Sequence, residues 1–172
     1  DDIMFWWKDV IGNKELTPSM PTWLKNTDGS NVVVDKVDDL SVKFTYNKAM
    51  TTFLEEIAQK DNGDRNIPMF LPSAYLKQFH PSYADKAALD KMVADGKMKT
   101  WTELFLAKQN AFENPDRPVT SAWKSVNRIS DQIFTFKRNP YYMGVDSQGQ
   151  QLPYMDEVQF KFFSDAQSLN LA

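Results

Sequence analysis

The sequence predicts a mixed fold of helices and strands, α/β in content with an α+β segregation along the chain, and three observations carry that expectation. Ile3, Trp6, Trp7, Val10 and Ile11 follow the i, i+3, i+4, i+7, i+8 spacing of one helix face. Leu40, Val42, Phe44 and Tyr46 alternate strictly with Ser41, Lys43 and Thr45, the signature of a half-buried strand. At Asn114-Pro115-Asp116-Arg117-Pro118 the character changes: helical spacing dominates before it and alternation after it. A boundary near residue 115 is therefore expected, separating residues 1–115 from 116–172.

The elements follow in order. Asp1 or Asp2 is expected to cap the first helix, and Gly12 to end it. Residues 13–31 read as loop, broken by Pro18, Pro21 and the Asp28-Gly29-Ser30 turn. Val32–Val37 should pair with the Leu40–Tyr46 strand through a turn at Asp38-Asp39. Helical spacing returns at Met50, Phe53, Leu54, Ile57 and Ala58, with Asn47 as cap, and residues 61–68 form a polar loop. Pro72-Ser73 opens a short helix carrying Leu76 and Phe79, and Pro81 stops it. Residues 85–97 read as a helix with Leu89, Met92 and Val93 inward and Gly96 at its end. Thr100 and Glu103 form a capping box ahead of Leu104 and Phe105. Strands are then expected at 123–129, at 132–138 and around Val158, Phe160 and Phe162, with a polar turn at 144–149 between the last two.

Composition narrows the function classes. The chain has 172 residues, enough for one ordinary globular domain with an aromatic-rich core of 12 Phe, 6 Tyr and 5 Trp. A net charge of −3 with interspersed signs leaves no basic cluster to neutralise phosphates, so no nucleic-acid partner is expected. With no cysteine, neither a disulfide framework nor thiol chemistry is available. No stretch has the length of a membrane span, and no secretory leader pattern is present. The first helix begins at the first residues and residues 166–172 read as a helix just beginning, so both ends are expected to be cuts in a longer protein.

Catalytic and metal chemistry find little support. One histidine, His80, without cysteine cannot build zinc-ligand spacing, and Asp61-Asn62-Gly63-Asp64 lacks the ligand periodicity of a calcium loop. His80 directly precedes Pro81, and helix termination with a surface hydrogen bond accounts for it better than a triad. Asp38/Asp39 and Glu55/Glu56 are adjacent pairs whose side chains diverge. Trp123 stands apart, because it opens a strand just after a boundary loop, where ligand clefts form. Spacing alone leaves both core packing and ligand contact open for it, with packing the more usual.

Several segments, in order, carry a family likeness. They are Asp2–Trp7, Val37–Phe44, Leu71–Pro81 with its Tyr75-Leu76-Lys77-Gln78-Phe79-His80-Pro81, Thr120–Lys124, Arg138-Asn139-Pro140-Tyr141-Tyr142, Gln151–Val158 and Asp165-Ala166-Gln167. Together they resemble the bacterial extracellular solute-binding proteins of family 5, the peptide-binding type. The resemblance implies part of the first lobe of a two-lobed, type II-like periplasmic-binding-protein fold. Residues 1–115 would be the small subdomain of that lobe, and 116–172 the strands returning to its main sheet, with the second lobe absent.

The resemblance also implies a role: a non-enzymatic, periplasmic or extracellular protein, lipid-anchored in some full-length members. Such a protein takes up an oligopeptide and hands it to the permease subunits of an ABC importer, without a cofactor. Thr120, Ser121, Ala122 and Trp123 match the segment that borders the ligand cleft. Ser121 stands where Asn is common and Trp123 where Tyr is usual, and an indole stacks well on sugars, so an oligosaccharide is the alternative ligand. A free-standing interaction domain is the competing reading from another class.

Overall fold

The structure is a computed structural model that describes residues 1–58 and 68–170. The chain divides into two compact units, residues 1–105 and 106–172.

The first unit opens with α1 (Asp2–Phe5), which runs directly into a π-helical segment, Trp6–Ile11. The wider turn is closed by the Gly12 N–H on the Trp7 carbonyl at 3.0 Å. It shifts the phase of the apolar stripe, so Phe5 joins Trp6, Val10 and Ile11 in the core while Ile3 and Trp7 are only partly covered. Gly12 ends the helix as expected, but for lack of room rather than for a left-handed turn. Its φ is −73°, and a Cβ there would lie 2.6 Å from the Lys8 carbonyl oxygen.

The expected cap is a correction. Neither aspartate caps α1; Asp2 Oδ1 accepts from the Ser73 N–H at 3.0 Å and from its hydroxyl at 2.6 Å. Asp2 thus satisfies the start of α3 (Ser73–Leu76), remote in sequence, whose first amide would otherwise lose this acceptor.

Residues 13–31 are irregular apart from a 3₁₀ turn, Thr22–Leu24, and a bridge between Lys25 and Asn31. They still supply buried Leu16 and Leu24, and Trp23 stacks on Trp6 at 6.0 Å. The hairpin forms as β1 (Val33–Lys36) against β2 (Val42–Thr45), antiparallel, with Val34 opposite Phe44. Leu40 departs from the alternation at 98% exposure. Asp38 Oδ1 accepts its N–H at 2.8 Å, which draws Leu40 into the turn and delays the strand until Val42.

Helix α2 (Phe53–Ala58) starts later than expected. Asn47 does not cap it, because its N–H and its amide are engaged by Asn26 Oδ1 and Asp28 Oδ2. Leu54, expected inward, is 72% exposed, whereas Phe53 packs on Phe44 and Tyr46. The polar loop expected at 61–68 lies, up to residue 67, outside the described residues.

Helix α3 and its 3₁₀ extension, Lys77–Phe79, bury Leu76 and Phe79 as expected. Asp85 caps α4 (Lys86–Asp95) through the Ala88 N–H at 3.0 Å, and Leu89 is buried. The left-handed residue beyond α4 is Lys97, with φ 54°, not Gly96. Helix α5 (Trp101–Gln109) carries the capping pair one residue out of register. Thr100 Oγ1 accepts from Glu103 N–H, but Glu103 Oε2 accepts from Lys99 N–H at 2.7 Å rather than from Thr100.

In the second unit β3 (Trp123–Ser125), β4 (Ile133–Arg138) and β5 (Glu157–Lys161) form an antiparallel sheet in that order. The β3 ladder is shorter than the expected 123–129. Asn127 takes over with its side chain, donating to the Ile133 carbonyl at 2.6 Å and accepting from Thr135 N–H at 2.8 Å. One sheet face collects Phe134, Phe136 and Phe160, with Phe112 edge-on to the first two. The chain between β4 and β5 folds back at a Val145–Gln151 bridge, and Gln151 Nε2 donates to the Pro140 and Tyr142 carbonyls. The last helix, α6 (Ala166–Asn170), is capped by Asp165 Oδ1 on Ser168 N–H at 2.7 Å.

Candidate functional site

The segment Thr120-Ser121-Ala122-Trp123 leads into β3, and its shape is set by Asn139 at the end of β4. The Asn139 amide donates to the carbonyls of Val119 at 3.1 Å and Ser121 at 2.9 Å. Its backbone N–H donates to the Ala122 carbonyl at 2.9 Å, and its Oδ1 accepts from Tyr141 N–H at 3.0 Å. Asn139 is only 5% exposed, so these bonds are made in a protected setting where an unpaired amide would be costly.

Around this frame Thr120 and Ser121 are exposed, while Ala122 and Trp123 are half-buried. The Ser121 hydroxyl donates to the Trp123 carbonyl at 2.7 Å, which leaves its lone pairs as acceptors. Trp123 lies opposite Arg138 in the ladder, so the two side chains share a sheet face. Arg138 in turn pairs with Asp156 at 3.3 Å, and its N–H donates to the Asp156 carbonyl at 2.9 Å. An indole, a hydroxyl and a guanidinium–carboxylate pair are thereby gathered at one end of the sheet. This set can stack on a ring and exchange hydrogen bonds with a neutral or zwitterionic solute; it has no nucleophile–base pair.

Sequence reasoning singled out the four residues of the segment but not Asn139, Arg138 or Asp156. The signal for Asn139 was present in Arg138-Asn139-Pro140, an Asn at a strand end before Pro, where its side chain characteristically ties down neighbouring backbone. Asp156 had no comparable signal, because its pairing with Arg138 spans an excursion of the chain.

His80 corrects its sequence reading. It is buried rather than on the surface, at 2% exposure, edge-on to Phe5, Trp101 and Phe105. Ser82 N–H donates to Nδ1 at 3.2 Å, which makes Nε2 the protonated nitrogen and donor to the Asp9 carbonyl at 3.1 Å. Burial holds its pKa below the usual imidazole value, with Asp9 and Glu15 opposing. Both ring nitrogens are committed to backbone, so it acts as a neutral core residue. Among the described residues no group of three or more acidic or histidine side chains could hold a metal ion, and no helix is long and apolar enough to cross a membrane. A groove of about 340 Å³ between α4 and α5 is floored by Leu89, Val93 and Trp101, with Lys86 at its rim paired to Asp90. Pro81 and the Lys99-Thr100 connection between the two helices complete its lining.

The whole chain, residues 1–172, matches the middle part of the bacterial extracellular solute-binding proteins, family 5. The chain belongs to that family. This family 5 chain is 30% identical, over 94% of its length, to a periplasmic α-galactoside-binding protein of Rhizobium meliloti (strain 1021), of which it spans 20%. Its fold is that of a solved oligopeptide-binding protein OppA: TM-score 0.82, 35% identity, 99% of this chain and 25% of that one. A second solved structure, the periplasmic binding protein MelB of Agrobacterium fabrum C58 in complex with stachyose, superposes with TM-score 0.61 and 28% identity over 95% of this chain and 21% of that one. The mixed α/β architecture of a periplasmic binding protein expected from the sequence is therefore present. The relatives' location agrees with a periplasmic or extracellular protein. The chain spans about a fifth to a quarter of these relatives.

Proposed function

We propose that this chain is part of the first lobe of a longer, two-lobed binding protein that captures oligopeptides outside the cytoplasmic membrane and presents them to the permease of an ABC importer. The match over the whole chain to OppA carries the reading, and the family 5 membership supports a binding role rather than an enzymatic one. Residues 1–115 serve as the small subdomain and 116–172 as strands of the lobe's sheet. Thr120, Ser121, Ala122 and Trp123 form one wall of the ligand cleft. No nucleic acid, metal or cofactor takes part, and contact with the membrane is peripheral.

A second reading, oligosaccharide capture, has its own observation. The half-buried indole of Trp123 shares a sheet face with Arg138, which holds Asp156. Aromatic stacking combined with bidentate polar groups suits a pyranose ring and its hydroxyls. The relatives described by α-galactoside and stachyose favour it as well.

Thermal stabilisation of the full-length protein, titrated with a tripeptide such as trialanine and separately with stachyose, tests both. A saturable rise in Tm with the peptide alone supports the first reading, and with stachyose alone the second. A rise with neither overturns both.

A further inference from the structure

The bonds Asn139 makes have a consequence for what the cleft wall offers a ligand. In a trans peptide the C=O and N–H of one unit point in opposite directions. Asn139 draws in the carbonyls of Val119, Ser121 and Ala122. The N–H groups of the same three units, those of Thr120, Ala122 and Trp123, are therefore turned away from Asn139. The N–H groups of Thr120 and Ala122 meet no acceptor among the described residues, and Thr120 and Ser121 are exposed. Three carbonyls turned in and three N–H groups turned out make an otherwise irregular stretch into a donor face.

We infer that Asn139 is the positioning residue of this wall, holding the backbone amides of Thr120 and Ala122 outward to receive oxygen acceptors of the bound solute. It does not touch the ligand itself. The shared ligand chemistry is a row of oxygen acceptors, which a peptide supplies as main-chain carbonyls and an oligosaccharide as hydroxyl and ring oxygens. The inference rests on the proposed placement of the segment at the ligand. It adds that binding depends on backbone donors preorganised by a buried amide, so little ordering cost falls on the ligand.

Asn139→Asp is nearly isosteric and keeps the acceptor for Tyr141 N–H, but it sets an oxygen against the Val119 and Ser121 carbonyls. In the full-length protein, calorimetric titration with trialanine and with stachyose, run well below the variant's Tm, should show roughly tenfold or greater weakening for whichever probe the wild type binds. Partial recovery is expected on acidification, as the introduced carboxyl gains a proton to donate. A purely structural asparagine would lower Tm and leave both the affinity and its pH profile unchanged.

Hydrogen exchange on the wild-type protein covers the case in which the variant does not fold. The amides of Thr120 and Ala122 should exchange fast without ligand and become protected at saturation. If they stay fast, or if the Asn139→Asp affinity matches wild type, the inference is overturned. Trp123→Ala separates the two levels. If it weakens binding while Asn139→Asp does not, the wall stands and the positioning role falls. If neither weakens binding, the wall itself is misplaced. A wild type that binds neither probe removes both.

Discussion

Acid should loosen the first unit through one residue, His80. Its neutral form is built into the core: Nδ1 receives the Ser82 N–H, Nε2–H serves the Asp9 carbonyl, and the rings of Phe5, Tyr83, Trp101 and Phe105 surround it. A proton on Nδ1 would face the Ser82 donor with a second donor, breaking that bond and charging a buried ring. Asp9 and Glu15 soften the penalty, Asp9 being itself engaged by the Tyr83 hydroxyl at 2.8 Å. The folded pKa lies below the unfolded value of about 6.5, so the unfolded chain binds more protons in the window between them. The stabilisation is complete above about pH 6.5 and is lost as pH falls through the folded pKa, at up to about 1.4 kcal/mol per pH unit. Urea unfolding followed by tryptophan fluorescence, with Trp6, Trp7, Trp23 and Trp101 as reporters in or against this core, measures it between pH 7.5 and 5. His80→Phe keeps the aromatic packing and removes the titration, so its midpoint should vary less with pH than the wild type's. Equal dependence in the two proteins would refute the assignment to His80.

Other substitutions follow from the corrections to the helix ends and turns. Asp2→Ala should lower unfolding free energy by about 1–2 kcal/mol in denaturant titration, because the Ser73 amide and hydroxyl lose their acceptor. Gly12→Ala should cost about 1–3 kcal/mol in the same assay despite alanine's helix propensity, since its Cβ meets the Lys8 carbonyl. Leu40→Ser, at a position the alternation marks as core, should change the unfolding free energy by no more than about 0.5 kcal/mol, because Leu40 sits in open turn.

Periodicity reads local order well and boundaries poorly, and the residues show why. The stripe of Trp6, Val10 and Ile11, the hairpin pairing of Val34 with Phe44, and the inward Leu76, Phe79, Leu89, Leu104 and Phe105 depend on which side of an element is apolar. That information is local. Three departures came from a side chain or packing constraint acting on backbone. Asp38 pulled Leu40 out of its strand, Asn127 replaced the end of the β3 ladder, and a π turn rotated Phe5 inward.

The candidate site divides in the same way. The sequence offered the segment Thr120–Trp123 as a candidate because a turn-rich stretch opening a strand beside an aromatic is a local pattern, to which the family likeness was added. It did not offer Asn139 and Asp156, because their roles exist only once β4 lies against β3 and the chain after Tyr142 has returned to β5. The neutrality of His80 was likewise invisible: its sequence neighbours suggest a surface helix end, and only the approach of Asp9, Trp101 and Phe105 buries it. By itself the sequence determined the mixed helix-and-strand class, the order of its elements and the family 5 likeness, because propensity, periodicity and short motifs are carried by neighbouring residues. Tertiary structure alone decided which polar groups face one another, because hydrogen bonds between distant segments depend on where the chain returns.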